Sequence, residues 1–152
     1  MYTLYREQFL QTTLQEAWDF VSNPLNLNLI TPDNFKFTII SEPPGEIFDG
    51  LLIAYRLKLP FLGMRTWISE IKHIRPYESF VDEQRVGPYK FWYHYHEIKK
   101  ASKGVVMIDR IHYEIPFYLI GRLAHALFVK KSLTDIFDFR RRKLEEIFAD
   151  RM

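Results

Sequence analysis

The chain has 152 residues, a formal charge of +2, 47% hydrophobic and 26% charged residues, a composition that excludes a disordered chain and gives no reason to expect a polyanionic partner. Cysteine is absent, which removes disulfides, thiolate catalysis and Cys-ligated zinc and fits a reducing compartment. The 13 Phe, 9 Tyr and 3 Trp are bulky enough to fill on the order of a quarter of the area a fold of this size buries, which points to an aromatic core or a ring-lined concavity.

Tyr2 to Leu10 reads as a strand. It stops at Thr12-Thr13, where Thr12 with Gln15, or Thr13 with Glu16, has capping-box spacing. Leu14, Ala17, Trp18 and Val21 then form the stripe of a short amphipathic helix. Asn23-Pro24 starts a second short helix, with Leu25 and Leu29 on one face and Thr31-Pro32 at its end. From there the period becomes strand-like: Phe35 to Ser41, closed by Pro43-Pro44-Gly45, and Ile47 to Leu59, closed by Pro60 to Gly63. Asp49-Gly50 is an alternative tight hairpin turn within the latter. Met64 to Arg75, Ser79 to Val86, Tyr89 to Lys99 and Val105 to Ile115 follow at meander spacing.

Leu119 to Phe148 reads as a helix of roughly 45 Å. Its stripe runs through Leu119, Leu123, Leu127, Leu133, Phe137, Leu144 and Ile147, and Ser132 with Asp135 has capping spacing that allows a break near Lys131. Lys130 and Arg140 fall on the stripe's line, where long side chains lay their stems on apolar surface and keep the charge wet. The basic run Arg140-Arg141-Arg142-Lys143 is interleaved with Asp138, Glu145 and Glu146 at helix spacing, so it reads as surface ion pairs in preference to a nucleic-acid or anionic-membrane patch. No repeat, linker or low-complexity tract divides the chain, and no apolar run approaches the roughly 18 residues of a membrane span. The expectation is a single cytoplasmic domain over 1–152, without integral membrane association or nucleic acid, leaving a partner protein or homodimer open.

The order of elements resembles the helix-grip fold of the START-like superfamily, also called SRPBCC, which includes pollen-allergen-type carriers and polyketide cyclases. Thr13 to Asn23 (T-L-Q-E-A-W-D-F-V-S-N) with Ile30-Thr31-Pro32 looks like that superfamily's opening motif. The run Phe80-Val81-Asp82-Glu83-Gln84, Gly87-Pro88-Tyr89 and Trp92-Tyr93-His94-Tyr95-His96 is similar to one bacterial subfamily, as are Asp109, Tyr113, Pro116 and Phe137-Asp138-Phe139-Arg140. The resemblance implies an α+β fold: a curved seven-stranded antiparallel sheet, two short helices and a long C-terminal helix over a cavity for an apolar molecule.

Strand period nominates the residues of such a cavity. Asp109, Ile111, Tyr113 and Ile115 share the more apolar face of their strand; Trp67, Ser69 and Ile71 share another, as do Phe80, Asp82 and Gln84. On Tyr89 to Ile98 the choice is between Trp92, His94 and His96 on one side and Tyr89, Phe91, Tyr93 and Tyr95 on the other; the Trp92 side is taken as inward. Tyr55, Trp67, Trp92 and Tyr113 are then expected as apolar walls and Asp82, Gln84, His94 and Asp109 as polar groups orienting a hydrophobic ligand, lipid-like or polycyclic. A rival reading is a cyclase or dehydratase with Asp82 or Asp109 and His94 as a proton-transfer pair, and a third is an interaction module. His94 and His96 with Asp82 or Asp109 could address one metal, but His-x-His carries little by itself; no metal and no cofactor are expected, since Gly-x-Gly-x-x-Gly, Walker and Gly-x-Ser-x-Gly motifs are lacking.

Overall fold

Alternating and helical patterns of this sequence assemble into one antiparallel sheet with a long helix on one face. The structure, a computed structural model, describes residues 1–42, 45–60 and 62–149. Strand β1 (Tyr2–Leu10) leads to helix α1 (Leu14–Val21) and two 3₁₀ turns, Pro24–Asn28 and Asp33–Phe35. Strands β2 (Thr38–Ile39), β3 (Leu51–Leu59), β4 (Gly63–Arg75), β5 (Ser79–Val86), β6 (Phe91–Ala101) and β7 (Gly104–Glu114) follow, then α2 (Tyr118–Ala124), a π turn (His125–Val129) and α3 (Lys130–Ala149). The seven strands are ordered β1-β7-β6-β5-β4-β3-β2, a meander extended at one edge by β1, which pairs with β7 from Tyr2 opposite Tyr113 to Leu10 opposite Val105.

Helix α1 starts on the second of the two possible boxes. Glu16 N–H donates to Thr13 Oγ1 at 3.2 Å and Thr13 N–H donates to Glu16 Oε2 at 3.1 Å, so two N-terminal donors are satisfied reciprocally. The helix buries Ala17, Trp18 and Phe20. In β4 the register with β5 shifts between Ile68 and Ser69 and again between Lys72 and Arg75, near His73 with φ of 56°. Bulges of this kind bend and twist a strand. Across the sheet lies α3, burying Leu133, Phe137, Leu144 and Phe148.

The core forms two clusters. One joins α1, Ile53, Tyr55, Ile71, Phe80, Leu144 and Phe148; the other joins Trp92, Ile111, Tyr113, Leu133 and Phe137. Trp67 packs against both.

Several expectations are corrected. Phe35 to Ser41 is strand only at Thr38–Ile39, because Phe35 ends a 3₁₀ turn and Lys36 takes a left-handed φ of 45°. The closing Pro43-Pro44 lies outside the described residues, as does Phe61 of the next closure. Asp49-Gly50 is a turn, with Gly50 at φ of 88°, but it does not join paired strands: Asp49 Oδ1 accepts from Ile74 N–H and Gly50 N–H donates to Ile71 O, tying the start of β3 to β4. Leu25 and Leu29 are exposed, while Pro24 and Leu27 turn inward. The C-terminal helix deviates at the π turn, not at Ser132. That wide turn shifts the helical face, and the first three leucines of the expected stripe, Leu119, Leu123 and Leu127, are exposed. In the basic run, Arg141 pairs with Glu145 and Lys143 with Glu146 on the surface, whereas Arg140 has its Nε shielded from solvent.

Gly104 sits where β7 begins beside the end of β1, and a Cβ there meets Leu10 O at 2.1 Å; at Gly45 a Cβ meets nothing within 4 Å. Gly104→Ala is expected to cost about 1–3 kcal/mol of stability in urea unfolding, against about 0.5 kcal/mol or less for Gly45→Ala. Equal effects would remove backbone crowding as the reason for glycine at 104.

Candidate functional site

Between the sheet and α3 the two core clusters leave a cavity of about 170 Å³, open to solvent and lined by Tyr55, Leu57, Leu59, Trp67, Phe80, Tyr89 and Trp92, by Leu27 and Phe35 of the 3₁₀ segment, and by Leu133, Ile136 and Phe137 of α3. Its polar lining is Thr31, Ser69, Asp82, His94, His96 and Arg140. Register explains how distant residues converge. Tyr55 stands opposite Trp67, Ile71 opposite Asp82, Asp82 opposite His94, Phe80 opposite His96, and His96 opposite Asp109. Because side chains alternate with period two, each of these pairs faces the same side of the sheet.

A buried charge cluster underlies the cavity. Burial alone raises the pKa of Asp109, but hydrogen bonds from His94 and His96 overcome it and hold the carboxyl well below the usual range. An anionic carboxylate only accepts, so His94 Nε2–H at 2.7 Å and His96 Nδ1–H at 3.2 Å both donate to Asp109 Oδ1. The two imidazoles lie with centroids 3.7 Å apart, His96 is stacked on Phe80 at 4.3 Å, and His94 meets Phe137 edge-on at 5.8 Å. Desolvation, reinforced by His96, pushes His94 down to about 3, so its ring is neutral. Asp82 is partly buried with its Oδ1 shielded from solvent, and burial raises its pKa against the opposing hydrogen bond of Ser69 and the charges of His96 and Arg140. Arg140 lies over the Phe137 ring at 4.7 Å; burial lowers its pKa, with Asp109 and Asp82 opposing. His94, His96 and Asp109 offer ligand atoms within 4.8 Å of one another, close enough to share a cation, yet Arg140 already supplies positive charge beside them and both imidazole N–H groups are spent on the carboxylate.

Of the residues nominated from sequence, Tyr55, Trp67, Asp82, Trp92 and His94 line the cavity, and the Trp92 face of β6 points inward. Gln84, Asp109 and Tyr113 do not line it. Gln84 spends its side-chain amide on the loop before β6, donating to Tyr89 O at 2.7 Å and accepting from Tyr89 N–H at 3.2 Å; it positions Tyr89 instead of touching the cavity. Asp109 sits below the imidazoles, facing a smaller hollow with Arg6 and Arg140. Tyr113 directs its hydroxyl to His125 Nε2 at 2.8 Å, anchoring the π turn. Tyr89 precedes β6 and so escapes the strand period that placed it outward; it packs edge-on against Trp67. Arg140 and Ser69 were not nominated. Ser69 accepts from Trp67 Nε1–H at 3.0 Å and shares a strand face with Trp67, which was the available signal.

Acidification tests the buried pair. The folded pKa of His94 lies below its ordinary 6.5, so its contribution to stability is complete above pH 6.5 and is lost as pH falls toward 3, with a slope of at most about 1.4 kcal/mol per pH unit. Asp82, shifted upward, contributes the opposite slope above its ordinary 3.8. Denaturant unfolding over this range is expected to show a flatter pH dependence for His94→Asn than for wild type; parallel profiles would mean His94 is not held neutral by burial.

No protein-family description matches the sequence, and no curated protein does. Solved structures do match in fold. Protein CV1439 from Chromobacterium violaceum superposes with a TM-score of 0.73 at 13% identity, covering 97% of this chain and 98% of its own. TTHA0849 from Thermus thermophilus gives 0.72 at 12% identity, with 95% of each chain covered. The di-domain ARO/CYC StfQ from the steffimycin biosynthetic pathway gives 0.73 at 11% identity; 98% of this chain is covered, but only 51% of StfQ. With its meander order and the long C-terminal helix across the sheet, the chain has a helix-grip fold.

Proposed function

We propose that this protein binds a compact, ring-bearing apolar molecule carrying a neutral hydroxyl, in the cavity between the sheet and α3. The observation that carries this reading is two shielded polar atoms on residues that line a mainly apolar cavity. Among the described residues, Asp82 Oδ1 and Arg140 Nε have no hydrogen-bond partner, and both residues line the cavity. Leaving such groups unpaired costs about 1–3 kcal/mol each. With a small turn of either side chain toward the cavity, a ligand hydroxyl would donate to Asp82 Oδ1 or accept from Arg140 Nε–H. A ligand carboxylate suits the site less well, because it would bring a second anion beside Asp82 and near Asp109.

Volume narrows the class. At about 170 Å³ the cavity is close to the roughly 150 Å³ that accommodates benzene and below the about 300–1,000 Å³ usual for larger ligands. One ring is favoured over the lipid-like or polycyclic molecule expected from sequence, which would require the cavity to widen. A second reading, proton transfer of the cyclase or dehydratase kind, draws on Asp82, whose raised pKa and place at the cavity suit a general acid, and on the shared fold with StfQ. Asp109 and His94 suit it less, being joined to each other.

Calorimetry with phenol and benzene separates these outcomes. Both are expected to bind, phenol more tightly, and Arg140→Met or Asp82→Asn is expected to weaken phenol by about 10–100-fold while leaving benzene nearly unchanged. If neither compound binds, the ligand reading fails; if the variants weaken both equally, the polar pair does not select the ligand. Undiminished phenol affinity in Asp82→Asn, together with lost turnover of a hydroxylated ring compound, would favour the proton-transfer reading.

A further inference from the structure

We infer that α2 is an interfacial element that docks this protein on an anionic lipid bilayer. Phe117, Tyr118, Leu119, Ile120, Leu123 and Leu127 are between 55% and 80% exposed, forming a contiguous apolar surface along α2 and the π turn of a kind that marks an interaction site. The segment is held to the sheet from its opposite side: His125 stacks on Tyr2 with centroids 3.5 Å apart and receives the Tyr113 hydroxyl, and Gly121 packs against Pro116 so closely that a Cβ would meet Pro116 O at 2.1 Å. The apolar face is therefore fixed outward by contacts on its back. Phe117 and Tyr118 enter the helix with φ of 67° and 35°, a conformation costly for aromatic residues, and one that tertiary structure must hold in place.

Charge selects the occupant. From Ile115 to Thr134 the sequence has no Asp or Glu, while Arg122, Lys130 and Lys131 are exposed along the same stretch; Glu114 and Asp135 bound it, the first paired with Lys90 and the second with Lys131. An apolar face bearing cations, with each bordering carboxylate neutralised by a lysine, matches a surface of anionic headgroups over acyl chains. The bulky aromatics at the start of α2 suit the headgroup boundary. Docking there also brings the cavity rim to the bilayer: Leu127 and Phe128 border the same surface hollow as Phe35 and Pro60, and Phe35 and Leu59 line the cavity. The inference stands on the surface of α2 and holds whether or not the cavity takes the ligand proposed above.

Vesicle flotation of the full chain tests it, using phosphatidylcholine alone and an equimolar mixture with phosphatidylglycerol. Wild type is expected to float with the anionic vesicles, less with phosphatidylcholine and less at high salt. The double variant Ile120→Glu, Leu123→Glu, whose sites are exposed and whose melting curve is expected to match wild type, should partition at least about tenfold more weakly. Failure to float with anionic vesicles, or flotation unaffected by the double variant, overturns the inference. So does a dimer seen by light scattering that the variant dissociates, since the face would then belong to a second copy of the chain.

Discussion

The structure is organised around a largely buried carboxylate. Asp109 lies beneath the sheet's inner face, and in such a place an ionised carboxyl is tolerated only if its lone pairs are occupied and an opposite charge is near. His94 and His96 supply the donors and Arg140 the nearby charge. Meeting that requirement fixes more than one residue. It sets the tautomers of both imidazoles and holds the rings close together at a 31° tilt. Phe80 can then stack on His96, and Phe137 can close over His94. The approach of α3 to the middle of the sheet is thus partly an electrostatic matter, with Phe137 and Arg140 spaced one turn apart on the helix so that one covers the imidazoles and the other faces the carboxylates.

The same arrangement explains why the interior is not filled. Above the charge cluster the apolar residues divide into two groups, with Trp67 packed against both. Leu144 and Phe148 of α3 belong to one and Leu133 and Phe137 to the other, so the helix bridges the two clusters without reaching the floor between them. Asp82 lies on that floor, with Ser69 and the Trp67 indole as its neighbours. A carboxyl with one oxygen shielded from solvent and not hydrogen-bonded to Arg140 is a poor way to stabilise a fold, because Ser69 offsets only part of its desolvation. Under the proposed function, a ligand hydroxyl would supply the partner it lacks.

Most of the architecture was legible because burial in this fold follows period. Alternation placed Tyr55, Trp67 and Asp82 on inner faces and left two choices for Trp92 and His94, and one of two capping boxes marked the first helix. What could not be read are the places where one residue serves two neighbours from different elements. β1 does alternate in burial, but its inner face carries Arg6 and Gln8, the latter donating to Arg141 O, so hydrophobicity alone hides the pattern. Arg140 has the spacing of a snorkelling surface residue, and only the three-dimensional position of Asp82 and Asp109 shows why its charge turns inward. Tyr89 lies before the strand to which it was assigned, held by a glutamine that itself looked like a ligand-binding group.

The cavity and the exposed helix share a cause in length. From Tyr118 to Ala149 the helical segment extends about 48 Å at 1.5 Å per residue, whereas the longer strands beneath it, such as the 11 residues of β6, span about 36 Å. A straight continuation of one apolar stripe would carry hydrophobic leucines past the sheet edge with nothing to cover them. The π turn instead rotates the helix at His125–Val129, so that Leu133 and Phe137 face the sheet while Leu123 and Leu127 do not. In a protein selected only for solubility, that overhang would be polar, since nothing in the packing of α3 depends on its side chains. Its apolar character, maintained opposite an anchored His125, is therefore a property of the surface and not a by-product of the core.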